Sequence, residues 1–278
     1  MAAPQDLADL LRAADRDRYL ATLYAPQDKR ADLTALYVFN AEIASVRERA
    51  REPLPGEIRL RWWLDALAAP AGQATGNPGA DALRAAIARH GLPMAPFEDM
   101  IEARMFDLYD DPMPDRATLE GYCGETASAL VQLSAVILAP ASAAGAAEAA
   151  GHAGCAQAIA GLLRLLPLHR SRGQCYVPAE LLAAAGTSRD EFVSDMPGEA
   201  GGRAVAAMIA LAREHLSRFE AAAHDLPKPL RPAFLPVAPA AAYLAAVERL
   251  GARALTAVAS ISEIRRNLIL LDRAVRGW

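Results

Sequence analysis

Basic and imidazole side chains gather at one turn of this chain. His169, Arg170 and Arg172 stand beside Gly173, and a turn of that composition can bind an anion. A solvated basic turn is the other reading. Glu98 and Glu102 are four apart and share a helix face. With Asp99, Asp107, Asp110 and Asp111 nearby, they either hold a cation or form a solvated acidic face. His152 and His169 flank an apolar stretch, and no third ligand accompanies them to make a metal site. No nucleophile-elbow motif supports Ser-His-Asp catalysis. Trp62 and Trp63, with Arg59 and Arg61, mark either a binding face or core tryptophan beside outward arginine.

The element that positions the basic turn runs from Cys155 towards Leu182. Ile159, Leu162, Leu163 and Leu166 recur at helical spacing, which predicts a core helix up to Leu166. Gly154, Ala156, Ala158, Ala160 and Gly161 leave room for a close neighbour. Pro167 predicts a kink or an end, because its ring clashes with the carbonyl of Leu163. Elsewhere the chain is a succession of helical stretches with almost no strand signal. An amphipathic helix is expected over Leu7–Ala25, then one capped by Asp28 and running to about Arg51. Further helices are expected from Pro55 to Ala69, Asp81 to His90, Pro96 to Asp110, and Asp115 to Pro140. Residues 70–80 read as a loop. Short helices flank Gly186, a long one spans Gly198–Asp225, and Lys228–Pro239 reads as irregular. One or two helices close the chain over Ala240–Gly277. There Ile261, Ile264, Leu268 and Leu271 form an apolar stripe, with Arg265, Arg266, Arg273, Arg276 and Trp278 around it. Such a helix suits a membrane surface, and a core-packed closing helix explains the stripe as well.

With 278 residues, 53 % of them hydrophobic, the chain can bury a sizeable core. Its net charge of −4 gives no global attraction to nucleic acid. Among 29 basic residues only Lys29 and Lys228 are lysines; with the abundant alanine, this points to a GC-rich, bacterial coding sequence. Cys123, Cys155 and Cys175 lack a C-x-x-C spacing, which argues against a disulfide framework and for a reducing compartment. The N-terminus carries early acids and no long apolar region, so no signal peptide is expected. The expected location is the bacterial cytoplasm, with the inner face of the membrane as a further site. Thr126–Ala147 is free of charge but broken by Pro140 and Gly145, and reads as a buried helix rather than a span.

Arg164, Arg172, Gly173, Tyr176 and Pro178 stand in a frame that resembles the squalene/phytoene synthase family. In that family a helix bearing Asp-x-x-x-Asp precedes a basic turn and a Tyr-Leu-Pro. The two aspartate positions fall here on Leu165 and His169. Leu36, Tyr37 and Phe39 resemble the lead-in to the family's first acidic helix, whose three acidic positions fall on Ala44, Ser45 and Glu48. The family's aspartates hold Mg²⁺ against a prenyl diphosphate. Mg²⁺ demands oxygen ligands, leucine and alanine offer none, and histidine suits it poorly. Disturbing mere outer support of a metal costs about 10–100-fold in affinity or activity; here the ligands themselves are missing.

Phe39–Ile43 with Asn40 and Glu42, the Ile58–Trp63 helix, the Leu168–Arg172 turn, Gly151-His152 and Pro232–Leu235 resemble a degenerate subgroup of the family. The human-type member of that subgroup acts in assembling respiratory complex I. The resemblance implies a single all-α domain over 1–278: an isoprenoid (terpenoid) synthase-type bundle of about a dozen helices around a central cavity. It implies a candidate cavity or anion-binding set of Tyr37, Asn40, Glu42, Arg164, Arg170, Arg172 and Tyr176. No bound metal and no cofactor are expected. The implied partners are respiratory complex I subunits or assembly proteins and an isoprenoid-like lipid; peripheral membrane contact through Ile261–Trp278 is expected from the stripe of the closing helix, not from the resemblance. The leading expectation is a pseudoenzyme. The competing ones are a prenyl diphosphate transferase with an altered site, in which Mg²⁺ would act, and an isoprenoid or quinone carrier.

Overall fold

The computed structural model describes residues 4–278 apart from 51, 71, 110 and 195–197. Arg51 and Asp110, expected at a helix end and in the acidic run, lie outside the described residues. Helices and turns make up the described chain, and no strand occurs among those residues. The residues gather into two compact units, neither contiguous in sequence. The first takes in Met1–Tyr109, Ala129–Ala147 and Leu226–Pro236, and the second Asp110–Ser128, Glu148–Asp225 and Val237–Trp278.

In the first unit the expected Leu7–Ala25 helix is two helices, Pro4–Ala14 and Arg16–Thr22. Asp15 divides them because its carboxylate accepts from the Arg18 amide at 2.9 Å, an N-cap that competes with helix continuation. The next helix is Gln27–Ala44. Its cap position is Pro26, and Asp28 sits inside the first turn rather than capping it, where its charge suits the positive helix end. The helix does not run on to residue 51. It breaks at Ser45 (φ −85°, ψ −1°) and a short Val46–Arg49 helix follows. Pro53–Ala68 starts on a proline, where the missing amide costs nothing. Pro78–His90 is capped by Asn77 and ended by Gly91 at φ +60°, and Ala95–Phe106 follows. Phe39 anchors the core of this unit, meeting Trp63 at 5.1 Å and Phe97 at 5.6 Å between ring centroids, both edge to face. The charge-free Ala129–Leu138 helix is buried here through Leu130, Val131, Leu133, Ala135 and Ile137.

In the second unit Asp115 caps Arg116–Cys123 through the Thr118 amide, as expected. The helix then widens into a π turn over Gly124–Ser128 that periodicity does not reveal. Ala147–Arg164 is the central helix of the functional argument, and Leu166–Ser171 continues it past a break at Leu165 (φ −95°, ψ 9°). Pro167 falls in the first turn of the new helix, so the break comes two residues before it. A Cβ at Gly154 would lie 2.3 Å from the Ser128 amide nitrogen, so the π turn approaches this helix as closely as a glycine allows. Ala179–Ala185, Arg189–Val193, the long Gly198–Ala223 helix, Ala240–Leu250 and Glu263–Arg276 complete the unit. Lys228–Leu255 is apolar enough to cross a membrane by composition, yet 78 % of its most apolar window is buried in the fold.

Candidate functional site

The Leu166–Ser171 helix ends in a cap closed by two backbone bonds, from the Gly173 amide to the Arg170 carbonyl (2.9 Å) and from the Gln174 amide to the His169 carbonyl (3.0 Å). Gly173 supplies the left-handed conformation (φ +74°) that this cap requires. The Arg172 amide donates to the His169 carbonyl at 3.0 Å. The backbone amides of this turn are therefore consumed by the helix end, which leaves only its side chains to meet an anion.

The expectation for Arg170 is corrected. It is buried, and its Nε donates to the Phe192 carbonyl at 2.7 Å, while its two other nitrogens donate to the carbonyls of Leu255 and Ser194. A guanidinium spent on three carbonyls is a structural clasp rather than an anion ligand. Arg164 stacks on Tyr243, with its guanidinium carbon 4.5 Å from the ring centroid. Tyr176 is buried, takes a hydrogen bond from Gln174 at 3.3 Å, and meets the rings of His169 and Tyr122 at 5.0 and 5.9 Å.

His169 occupies the second of the expected aspartate positions on this segment. Burial, with the positive charge of Arg172 nearby, pushes its pKa down to about 4, so the ring is neutral at physiological pH. Its Nδ1 is buried and finds no hydrogen-bond partner among the described residues. Leu165, the first of those positions, is the residue at which the helix breaks.

The acidic helix of the first unit shows the same pattern. Ala44 is the last helical residue, Ser45 is the break, and Glu48 is exposed on the short helix beyond. The Ser45 hydroxyl donates to the Glu42 carbonyl at 2.9 Å. Glu42 itself lies 3.8 Å from Arg59. Tyr37 is buried and accepts a hydrogen bond from Ser134 at 3.1 Å, and burial pushes its phenol pKa up. Asn40 is buried on the same helix. Carbon side chains at Ala44 and Leu165, a hydroxyl already engaged at Ser45 and a ring nitrogen at His169 do not fit Mg²⁺. Among the described residues no cluster of three His, Cys, Asp or Glu side chains is placed to hold a metal.

The other candidates separate cleanly. Glu98 and Glu102 are exposed, so that run is a solvated face, while Asp107 is buried and takes a hydrogen bond from Arg104 at 3.1 Å. Trp63 is fully buried, whereas Trp62 is partly exposed and lines a surface cavity of about 490 Å³ with Arg49, Ile58 and Arg59. Sequence reasoning missed a half-buried polar chain in the second unit, centred on the buried His215. His152 Nδ1 lies 3.0 Å from His215 Nδ1, and His215 Nε2 lies 2.9 Å from Glu120. Arg116 joins Glu120 at 2.7 Å and Glu214 at 3.0 Å. Burial opposes the charge on Glu120, yet hydrogen bonds from Arg116 and His215 outweigh it and hold the carboxyl below its usual range. The i, i+4 spacing of Arg116 and Glu120 was a legible signal; its long-range partners were not.

A sequence model of the squalene/phytoene synthase family matches residues 11–265. The chain belongs to that family. Among its relatives, the mouse (Mus musculus) protein named NADH dehydrogenase (ubiquinone) complex I, assembly factor 6 is 28 % identical over 242 residues, covering 87 % of this chain and 72 % of the relative. A presqualene diphosphate synthase of Rhodopseudomonas palustris is 29 % identical over 186 residues, or 66 % of each chain. The crystal structure of squalene synthase HpnC from Alicyclobacillus acidocaldarius superposes with a TM-score of 0.74 at 22 % identity, over 90 % of this chain and 94 % of that one. At that identity the structural likeness speaks to fold: the helical terpenoid synthase architecture expected of a squalene/phytoene synthase family member.

Proposed function

We propose that this protein is a non-catalytic member of the squalene/phytoene synthase family that acts in respiratory complex I assembly by binding a partner protein or a lipid. The observation that carries the reading is the ligand set itself. In the family frame read from the sequence, Ala44, Ser45, Leu165 and His169 take the positions of magnesium-binding acids, and two of those four, Ser45 and Leu165, fall at helix breaks. Without Mg²⁺ on the diphosphate oxygens, the leaving group departs unaided. The likeness to complex I assembly factor 6 over 87 % of the chain supports the assembly role. The buried clasp of Arg170 and the closed cap at Gly173 support a scaffold in which former site residues now hold the fold.

The test has two arms. Deletion of the gene in its host should lower complex I abundance and NADH oxidation by membranes, and normal levels of both would refute the assembly role. Pure protein with Mg²⁺ and farnesyl diphosphate should release no pyrophosphate, and its thermal midpoint should stay where it was, since a ligand that binds only the native state raises it. The similarity to a presqualene diphosphate synthase favours a second reading, a transferase with an altered site. Steady pyrophosphate release with a prenyl product would establish that reading in place of the first.

A further inference from the structure

The closing helix is mounted the wrong way round for a soluble protein. Glu263–Arg276 is strongly amphipathic, yet its apolar stripe points outward. Ile264 is 74 % exposed, Leu268 60 %, Leu271 49 % and Val275 68 %. Their spacing of four, three and four places them on one line along the helix. Val258, just before the helix, is exposed too. The opposite face is what the fold holds. Leu270 is buried, Trp278 packs edge to face on Phe219 at 5.2 Å, and Arg273 lies 5.1 Å over the Trp278 ring and 3.9 Å from Glu220. Ser262 caps the N-terminus through the Arg265 amide. The helix is thus formed and fastened without using its most apolar residues, which are left as a continuous strip in water.

The charge beside that strip selects what covers it. The helix carries four arginines against Glu263 and Asp272, and those two acids already face Arg266 (3.5 Å) and Arg276 (3.1 Å). Arg265 and Arg276 are exposed at the edge of the stripe, where long stems can lie along apolar surface while the guanidinium groups reach outward. An apolar strip edged by arginine, on a helix of low overall hydrophobicity, matches a surface of acyl chains under anionic headgroups. A second copy fits worse. Antiparallel pairing that sets Ile264 against Val275 brings Arg265 of one copy near Arg276 of the other, two arginines offset by a single Asp272, so each end of such a pair keeps an excess of positive charge.

We infer that Glu263–Arg276 is a docking helix for an anionic membrane surface, with Ile264, Leu268, Leu271 and Val275 entering the headgroup layer and Arg265 and Arg276 binding lipid phosphate. This stands apart from the assembly reading and holds whether or not complex I is affected by the gene.

Vesicle flotation of the full chain tests it. The wild type should float with phosphatidylcholine vesicles containing about 30 % phosphatidylglycerol and much less with pure phosphatidylcholine, and added salt should weaken the former. A double variant, Leu268→Glu with Leu271→Glu, should lose binding by about tenfold or more, since each leucine contributes at least that much when buried. Its thermal midpoint should stay close to the wild type's, because Leu268 is 60 % and Leu271 49 % exposed and neither belongs to the buried core. Arg265→Ala with Arg276→Ala should lower binding to the anionic vesicles and leave the weak neutral binding alone. Failure of the wild type to float, or equal flotation of the leucine variant, would overturn the inference. So would a dimer, seen by light scattering, that Leu268→Glu dissociates while flotation is absent; that result assigns the stripe to a second copy.

Discussion

His169, at a position expected to be acidic, brings a liability of its own. A carboxylate at this position would need a cation beside it, whereas a neutral imidazole tolerates burial. The consequence is acid sensitivity. Unfolded, the ring takes up its proton near pH 6.5; in the fold it resists protonation until about pH 4. Above pH 6.5 both states carry a neutral ring and its contribution is constant. Between 6.5 and 4 only the unfolded chain is protonated, so stability falls with falling pH, by up to about 3 kcal/mol across that interval. Urea unfolding of His169→Gln from pH 7.5 to 4 should show a flatter pH dependence than the wild type over that window. An identical pH dependence in both proteins would show that the ring is not protected as described. From the sequence, position 169 was legible as a site residue but its burial was not, because burial depends on Tyr176 and on the shape of the cap at Gly173.

At the scale of elements, composition and punctuation carried most of the layout. Glycines marked the stops at Gly91 and Gly186, whereas two helices start at Pro53 and Pro78, two and three residues before the expected Pro55 and Asp81. Departures came where a local hydrogen bond or a packing demand broke a continuous pattern. Asp15 interrupts one helix by capping the next, and periodicity reads straight through it. The π turn at Gly124–Ser128 has a partner far away in sequence. Ser128 donates to the Gly151 carbonyl at 2.8 Å, and Gly154 leaves the space in which Ser128 sits. Two glycines one turn apart in the same helix should therefore respond in opposite directions. Gly154→Ala overlaps backbone and should cost roughly 1–3 kcal/mol. Gly151→Ala meets nothing within 4 Å and should stabilise by about 0.5–1 kcal/mol through the helical preference of alanine. Thermal unfolding of the pair checks this, and equal effects of the two would contradict the close approach.

For the whole molecule, family membership was legible because Arg164, Arg172, Gly173, Tyr176 and Pro178 keep the frame around the two positions expected to be acidic. What those residues do was hidden. In place of an anion cradle, the second unit uses Arg170 and the Gly173 cap to organise its own backbone, and a reader of spacing alone sees only positive charge. The terminal helix is the converse: its stripe was plain in the sequence, while the direction it faces was a property of the fold.

One guanidinium binds carbonyls from residues 192, 194 and 255, segments with no covalent reason to fluctuate together. Lysine keeps the charge but cannot span three acceptors. In Arg170→Lys, hydrogen–deuterium exchange should therefore quicken in concert around Phe192 and around Leu255, while amides of Pro53–Ala68 keep their protection. The two stretches breathe as one because a single side chain is the knot between them.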